Sequence, residues 1–208
     1  MSLYDKSSLL QVPSLYKDGT LVSTIPEDRS GDFTVSRGSN LAATRIGPDG
    51  YIKKGYENLL LQSNTFDNAV WIEDKATLTS GQGGYDGINV GLLINVGRVG
   101  RITQTITLSG VQTYSVYAKA NTFNWVAILF GNGRANFNLD PSFTGNRVGI
   151  VQNAINALVE DVGNGWFKCI VTYDLSISGI GIYPVIDNNV FTGSGSIYIQ
   201  DAQLNQGL

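Results

Sequence analysis

Histidine is absent from this 208-residue chain, and cysteine occurs once. Without an imidazole there is no Ser-His-Asp or Cys-His catalysis, no His-ligated zinc and no histidine pH switch. A single cysteine excludes an internal disulfide framework and any multi-cysteine zinc site. In Trp166-Phe167-Lys168-Cys169-Ile170-Val171-Thr172-Tyr173, period-two alternation sets Cys169 beside Phe167, Val171 and Tyr173, the environment of a buried, inert thiol. Charge is scarce as well: charged residues make up 15%, the net charge is −3, and the basic residues are scattered. Nothing in that pattern attracts nucleic acid or an anionic membrane. No apolar run reaches the length of a transmembrane helix and the N-terminus carries no signal-peptide block, so a soluble chain made in a cytoplasm is expected.

Paired carboxylates are also missing. Glycoside hydrolysis needs two carboxyl groups at a fixed separation, one of them held protonated. The chain has four Glu (Glu27, Glu57, Glu73, Glu160), and Glu73-Asp74 and Glu160-Asp161 are sequence neighbours. Neighbours on a strand point to opposite faces, so neither pair converges on one substrate atom, and no enzymatic activity is expected. The loop Gly81-Gln82-Gly83-Gly84-Tyr85-Asp86-Gly87 lacks the Lys-Ser/Thr of a P-loop and no helix follows it, which leaves a loop crossing a sandwich edge. Asp86 and Asp187-Asn188-Asn189 offer oxygen ligands for a structural calcium ion, but no spacing signature of a calcium loop supports one, and no cofactor is expected.

What is present is β pattern. Thr113-Tyr114-Ser115-Val116-Tyr117-Ala118-Lys119-Ala120 is β-branched and aromatic, with no Gly or Pro, and reads as a central strand. After Asn121-Thr122, Phe123–Phe130 returns as a second strand that is apolar on both faces, as where a sheet is covered on both sides. Further strands are expected at 77–78, 90–95, 100–108, 111–120, 135–139, 154–160, 165–173, 179–185 and 195–204, with Asn132-Gly133 and Asn164-Gly165 as tight turns and only Asn64–Val70 as a helical turn. Short strands without intervening helical patterns indicate an all-β sandwich of one core. Before it, residues 1–30 hold short apolar spots separated by Pro13, Asp18-Gly19 and Pro26, each too short for a self-sufficient hairpin. They read as an extended arm that orders against a partner, followed by a small hairpin around Gly47-Pro48-Asp49-Gly50.

The segment GDFTVSRGSNLAATRIGPDGYIKKGYENLLLQSNTFDNAVW (Gly31 to Trp71) resembles a module of bacteriophage virion proteins in which DFTFxRxSxATRVxxDGxI leads into NLLxxSexFDxxxW. GQGGYDG (Gly81–Gly87), YSVYAKA (Tyr114–Ala120), VGNGWFKC (Val162–Cys169) and SIYIQDAQLNQG (Ser196–Gly207) continue the likeness in order, the last two matching the family's GNGWYRC and IYIWGAQLEEG strands. The resemblance is nearest to versions in phages of gut Bacteroidetes. It implies a jelly-roll β-sandwich akin to carbohydrate-binding modules, over residues 58–208. It also implies that residues 1–57 form a virion-attachment arm and hairpin docking on other virion proteins, and by analogy a homotrimer is expected. The expected role is a short head (capsid) fibre or decoration of the virion, assembled in the host bacterial cytoplasm, whose jelly roll adheres to host or mucosal glycans; a tail fibre or receptor-binding module is the alternative. Because the sequence runs no further than Leu208, directly after the last strand, the head fibre is the expectation.

Sugar recognition uses exposed aromatic platforms with polar neighbours. Trp71 and Trp166 fall within the scaffold motifs and read as core. Trp125 lies mid-strand outside every motif, with Arg134, Asn136 and Asn138 alternating along the next strand, and is the candidate ligand-binding residue, with core packing as its alternative role. Where the family often has Trp in its last strand this chain has Gln200-Asp201, so no role of that Trp carries over.

Overall fold

The computed structural model describes residues 9–17, 20–28, 30–34, 44–46, 52–54, 58–87 and 89–207, in two compact units, Met1–Gly55 and Tyr56–Leu208. In the first unit, β1 (Leu10–Lys17) and β2 (Thr20–Ile25) form an antiparallel hairpin and β3 (Phe33–Thr34) adds to β2. The apolar spots expected to lack a self-sufficient hairpin therefore pair into a three-stranded sheet. Two features supply what each spot lacks alone: a third strand, and a clasp in which Asp32 Oδ1 accepts from Ser23 N at 2.6 Å and Ser23 Oγ at 2.9 Å. Pro13 falls on the edge strand β1, where the ladder shifts register between Gln11↔Ser23 and Tyr16↔Leu21, a place that tolerates a missing donor. The expected small hairpin is β4 (Thr44–Ile46) against β5 (Ile52–Lys54), with Ile46 opposite Ile52. Its Gly-Pro-Asp-Gly turn lies outside the described residues.

The second unit is an antiparallel β-sandwich. Its strands are β6 (Ile72–Asp74), β7 (Ala76–Gly83), β8 (Asn89–Arg98), β9 (Arg101–Leu108), β10 (Val111–Ala120), β11 (Trp125–Phe130), β12 (Gly133–Asn138), β13 (Val148–Gln152), β14 (Asn156–Gly163), β15 (Trp166–Asp174), β16 (Ile177–Val185) and β17 (Thr192–Gln206). Sheet I runs β14-β15-β10-β17-β8-β7 and sheet II runs β13-β12-β11-β16-β9-β6. No helix occurs among the described residues; Asn64–Val70 is a run of turns, with Thr65 N donating to Gln62 O and Asn68 N to Thr65 O. β6 and β13 escape the sequence pattern because they are short edge strands, one carrying Glu73-Asp74 and the other Gly149.

The strands on either side of Asn121-Thr122 part company: β10 pairs with β15 and β17, β11 with β12 and β16. The short connection crosses between the sheets, held where Thr122 N and Phe123 N both reach Ser196 O, and it tucks Phe123 into the core. Along β10, Tyr114, Val116 and Ala118 face inward and are wholly buried. The adjacent β15 contributes Phe167, Cys169, Val171 and Tyr173, and β17 on the other side contributes Ile197, Ile199, Ala202 and Leu204. Cys169 is sealed in this layer, and burial pushes its thiol pKa well up, so the thiolate needed for reactivity does not form. Across the interface Phe130 of sheet II stacks on Tyr173 of sheet I, centroids 4.1 Å apart and 7° from parallel. β14 and β15 are joined by Asn164-Gly165 with φ of 54° and 77°, both left-handed, as a two-residue hairpin turn requires.

Candidate functional site

The sandwich turns two outer faces to its surroundings, and the sequence candidate lies on sheet II. Trp125 is half-buried and belongs to a small cluster separate from the main core, around Ala127, Tyr183 and Val185, with Leu129, Val99 and Phe191 packed on it. This cluster explains why β11 is apolar on both sides. The segment from Ile186 to Phe191 folds back over the face: Phe191 meets Tyr183 edge-on at 6.1 Å, and Phe191 O accepts from Val99 N at 2.9 Å. The alternation along β12 is as expected, with Asn138, Asn136 and Arg134 opposite Trp125, Ala127 and Leu129. Their polar groups, however, are turned to internal use. Asn138 Oδ1 accepts from Asp140 N at 2.8 Å, the Arg134 guanidinium lies over the Phe191 ring at 5.3 Å, and Asn136 Nδ2 donates to Asn188 O. Trp71 and Trp166 are buried, and Trp71 Nε1 donates to Gln62 O at 3.0 Å.

The outer face of sheet I is more open. Opposite the inward residues of β10 stand Thr113, Ser115, Tyr117 and Lys119, and register builds rows across the sheet from them. Ser115 lies between Ile170 of β15 and Gln203 of β17; Tyr117 lies between Lys168 and Gln200; Lys119 lies between Trp166 and Tyr198. Thr113, Ser115, Lys168, Ile170, Gln203, Asn205 and Gly207 line a groove of about 310 Å³, with Tyr117 next along the strand at one end. Hydroxyls, amides, one ammonium and one aliphatic floor residue thus converge beside an aromatic wall.

That wall is assembled by the glycine-rich loop. Beyond β7 the chain folds over the sheet so that Tyr85 stacks on Tyr117 at 4.4 Å and meets Trp166 edge-on at 6.2 Å, while Trp166 tilts against Tyr198 at 6.4 Å. Gln200 and Asp201 hold the loop in place. Gln200 Oε1 accepts from Tyr85 N at 3.1 Å, Gln200 Nε2 donates to Asp86 Oδ1 at 2.6 Å, and Tyr85 Oη donates to Asp201 Oδ2 at 3.1 Å. Desolvation raises the Asp201 pKa against the lowering pull of the bond from Tyr85, and desolvation together with Asp201 beside it raises that of Tyr85. The phenol therefore stays a donor and the clasp stays shut at neutral pH. Lys168 Nζ sits 5.8 Å from the Tyr117 ring centre, within cation–π reach. The loop thus lies over the outer face of sheet I, beyond the edge crossing expected for it. The face itself was present as alternation within YSVYAKA, where every second residue is polar or amphipathic.

The acidic pairs are dispersed. Glu73 Oε2 accepts from Leu78 N at 3.2 Å and Asp74 pairs with Arg101 at 2.8 Å; Glu160 of β14 stands opposite Lys168 of β15 while Asp161 accepts from Gly163 N at 2.8 Å. Asp86 and Asp187 belong to loops over different sheets, and among the described residues no three of His, Cys, Asp and Glu gather as a metal site. The loop between β12 and β13 instead collects its carbonyls around a side-chain cation. Arg147 Nη1 donates to Asp140 O at 2.7 Å and Asn138 O at 3.3 Å, and Nη2 donates to Phe143 O at 3.0 Å. Its guanidinium also lies over Phe167 at 4.2 Å.

No family model matches the chain, and no curated protein matches it. Solved structures give distant likenesses. The N-terminal xylanase 10B of Clostridium thermocellum, its CBM22-1 and GH10 modules complexed with xylohexaose, is 14% identical with a TM-score of 0.41 over 74% of this chain and 28% of that one. A protein of Bacteroides thetaiotaomicron described as sugar binding is 13% identical with a TM-score of 0.36, over 82% of this chain and 98% of that one. The enzymatically active domain of tailspike protein 4 of bacteriophage CBA120 is 18% identical with a TM-score of 0.39, over 72% of this chain and 21% of that one. The chain spans little more than a quarter of the first of these.

Proposed function

We propose that this chain is a glycan-binding virion protein of a bacteriophage: a short head fibre or capsid decoration held by its N-terminal unit and adhering to host or mucosal glycan through the outer face of sheet I. The observation that carries the binding role is the groove beside Tyr117. Sugars are recognised by hydrogen bonds to their hydroxyls and by aromatic groups against their C–H faces. Ser115, Gln203 and Lys168 supply the first, and Tyr117, next along β10 with Lys168 beside its ring and Tyr85 stacked on it, supplies the second. The virion context rests on the ordered motifs from Gly31 to Gly207, and a homotrimer belongs to the same reading.

A glycan array probed with the whole chain tests the binding role. Retention is expected to fall about fivefold or more in Tyr117→Ala, as loss of an aromatic contact implies, and less in Gln203→Ala, which removes one hydrogen-bonding group and spares the aromatic set. A wild-type chain that binds nothing on the array, or a Tyr117→Ala chain that binds as wild type, would overturn it. For the virion context, a chain lacking residues 2–55 is expected to keep the sandwich folded and to be missing from particles assembled in the host. Its continued presence there, read by immunoblot of purified phage, would place the anchor elsewhere.

A further inference from the structure

We infer that the groove on sheet I takes a glycan that bears a carboxylate, a uronic or sialic acid unit, and that Lys168 is the residue that selects it. The inference rests on the reading of the groove as a sugar site and names the class of sugar it takes. The first observation is the direction in which Lys168 leans. In register it stands between Glu160 of the edge strand β14 and Tyr117 of β10. Its ammonium goes to the Tyr117 side, 5.8 Å from the ring centre, where it lines the groove. Glu160 stays exposed, and among the described residues Lys168 forms no ion pair. A positive charge is thereby carried into the groove with no carboxylate on it.

The second observation is which polar groups of the groove are left for a ligand. The Thr113 hydroxyl is spent, bonded to Thr172 Oγ1 at 3.1 Å and to Gly207 O at 3.0 Å. The side chains of Lys168, Ser115 and Gln203 make no hydrogen bond among the described residues. Lys168 brings three donors, the Gln203 amide two and Ser115 one, against one amide oxygen and one hydroxyl oxygen as acceptors. No Asp or Glu lines the groove. Neutral sugar hydroxyls present donors as well as acceptors, whereas a carboxylate only accepts, and its bond to an ammonium is about twice as strong as a neutral one. The three side chains sit on successive strands about 5 Å apart, so a carboxylate held by Lys168 with Ser115 beside it leaves the ring hydroxyls in reach of Gln203, over the apolar floor of Ile170. The chain's net charge of −3 opposes an anion only at long range. Beyond about 8 Å such charges are screened at physiological salt, and pairing at contact decides.

The test probes the full chain on a glycan array that carries uronic and sialic acid glycans beside neutral counterparts. Calorimetric titration then compares trigalacturonate with its methyl ester and sialyllactose with lactose, and the pair that binds names the source of the carboxylate. The acid is expected to bind about tenfold more tightly than its neutral partner, the worth of one charge-assisted hydrogen bond, and added salt is expected to shrink that ratio. Lys168→Gln is expected to remove most of the preference and to leave the neutral probe within about twofold of wild type. Glu160→Gln, which takes away the negative charge in the same row, is expected to tighten the acid about twofold and leave the neutral probe unchanged, a response that a merely structural Lys168 would not give. Array hits confined to neutral glycans, equal binding of acid and neutral probes, or a preference that survives Lys168→Gln would each overturn the inference. If Tyr117→Ala still weakens the neutral ligands in those cases, the groove stands as a sugar site. A chain that binds nothing on the array and no probe would overturn both.

Discussion

Phe130→Ala is expected to destabilise the sandwich by about 3–5 kcal/mol, the cost of removing a fully buried aromatic side chain and leaving a cavity. The ring is at 0% exposure, sits parallel to Tyr173 at 4.1 Å, and is the contact through which β11 of one sheet meets β15 of the other. The site cannot readily collapse. Ile128 and Ile180 beside it are themselves buried on strands fixed by ladders on both sides, and the Tyr173 hydroxyl is already buried without a partner. Thermal unfolding followed by near-ultraviolet circular dichroism should show a midpoint roughly 6–20 °C lower, given the usual conversion for a unit of this size. A drop smaller than a few degrees would mean that the two sheets are not joined at this stack.

Arg147→Ala is expected to cost about 2–3 kcal/mol, unusual for a side chain that is not fully buried. Three backbone carbonyls converge on the guanidinium and an aromatic face lies beneath it, so truncation leaves acceptors of the 139–147 loop unpaired and uncovers part of Phe167. Arg147→Lys should recover less than half of the loss, because an ammonium cannot reproduce the planar fork that reaches Asn138, Asp140 and Phe143 together. Denaturant midpoints of the two variants provide the measurement. Asp140 belongs to the same loop: its bonds from Ser142, and then the Arg147 charge, hold its carboxyl below the ordinary value. That contribution is present at neutral pH and is lost as pH falls through the carboxylate range, so the gap between wild type and Arg147→Ala should narrow in acid. Full recovery by Lys, at any pH, would show that only charge is needed there.

The sandwich was legible because its signal is local. Tyr114, Val116 and Ala118 alternate with Thr113, Ser115 and Tyr117, and period two is a property of the strand itself. Cys169 was legible for the same reason, lying in phase with Phe167, Val171 and Tyr173. The N-terminal spots were harder, since Leu10–Lys17 and Thr20–Ile25 become a sheet only with Phe33–Thr34 and the Asp32 clasp. Which sheet a strand joins is not local at all. β10 and β11 are consecutive and both feed the core, yet Thr122 and Phe123 carry the chain across to the other layer.

The candidate sites divide in the same way. Trp125 and its partners Asn138, Asn136 and Arg134 could be read in register from spacing, but that Asn188 would sit among them depends on a turn some fifty residues further along, in contact only through the fold. Gln200-Asp201 read as a departure from a pattern, and only its bonds to Tyr85 and Asp86 make it the clasp of an aromatic wall.

By itself, then, the sequence determined the all-β class, the strands of the core and the absence of histidine chemistry, because these follow from residue type and from the two-residue period of an extended chain. The tertiary structure alone decided which faces are open, which polar groups are already spent on the protein's own loops, and where a groove lies beside an aromatic wall. Those depend on contacts between Tyr85 and Tyr117, Asn136 and Asn188, and Arg147 and Phe167, pairs brought together by long-range strand pairing that no local pattern encodes.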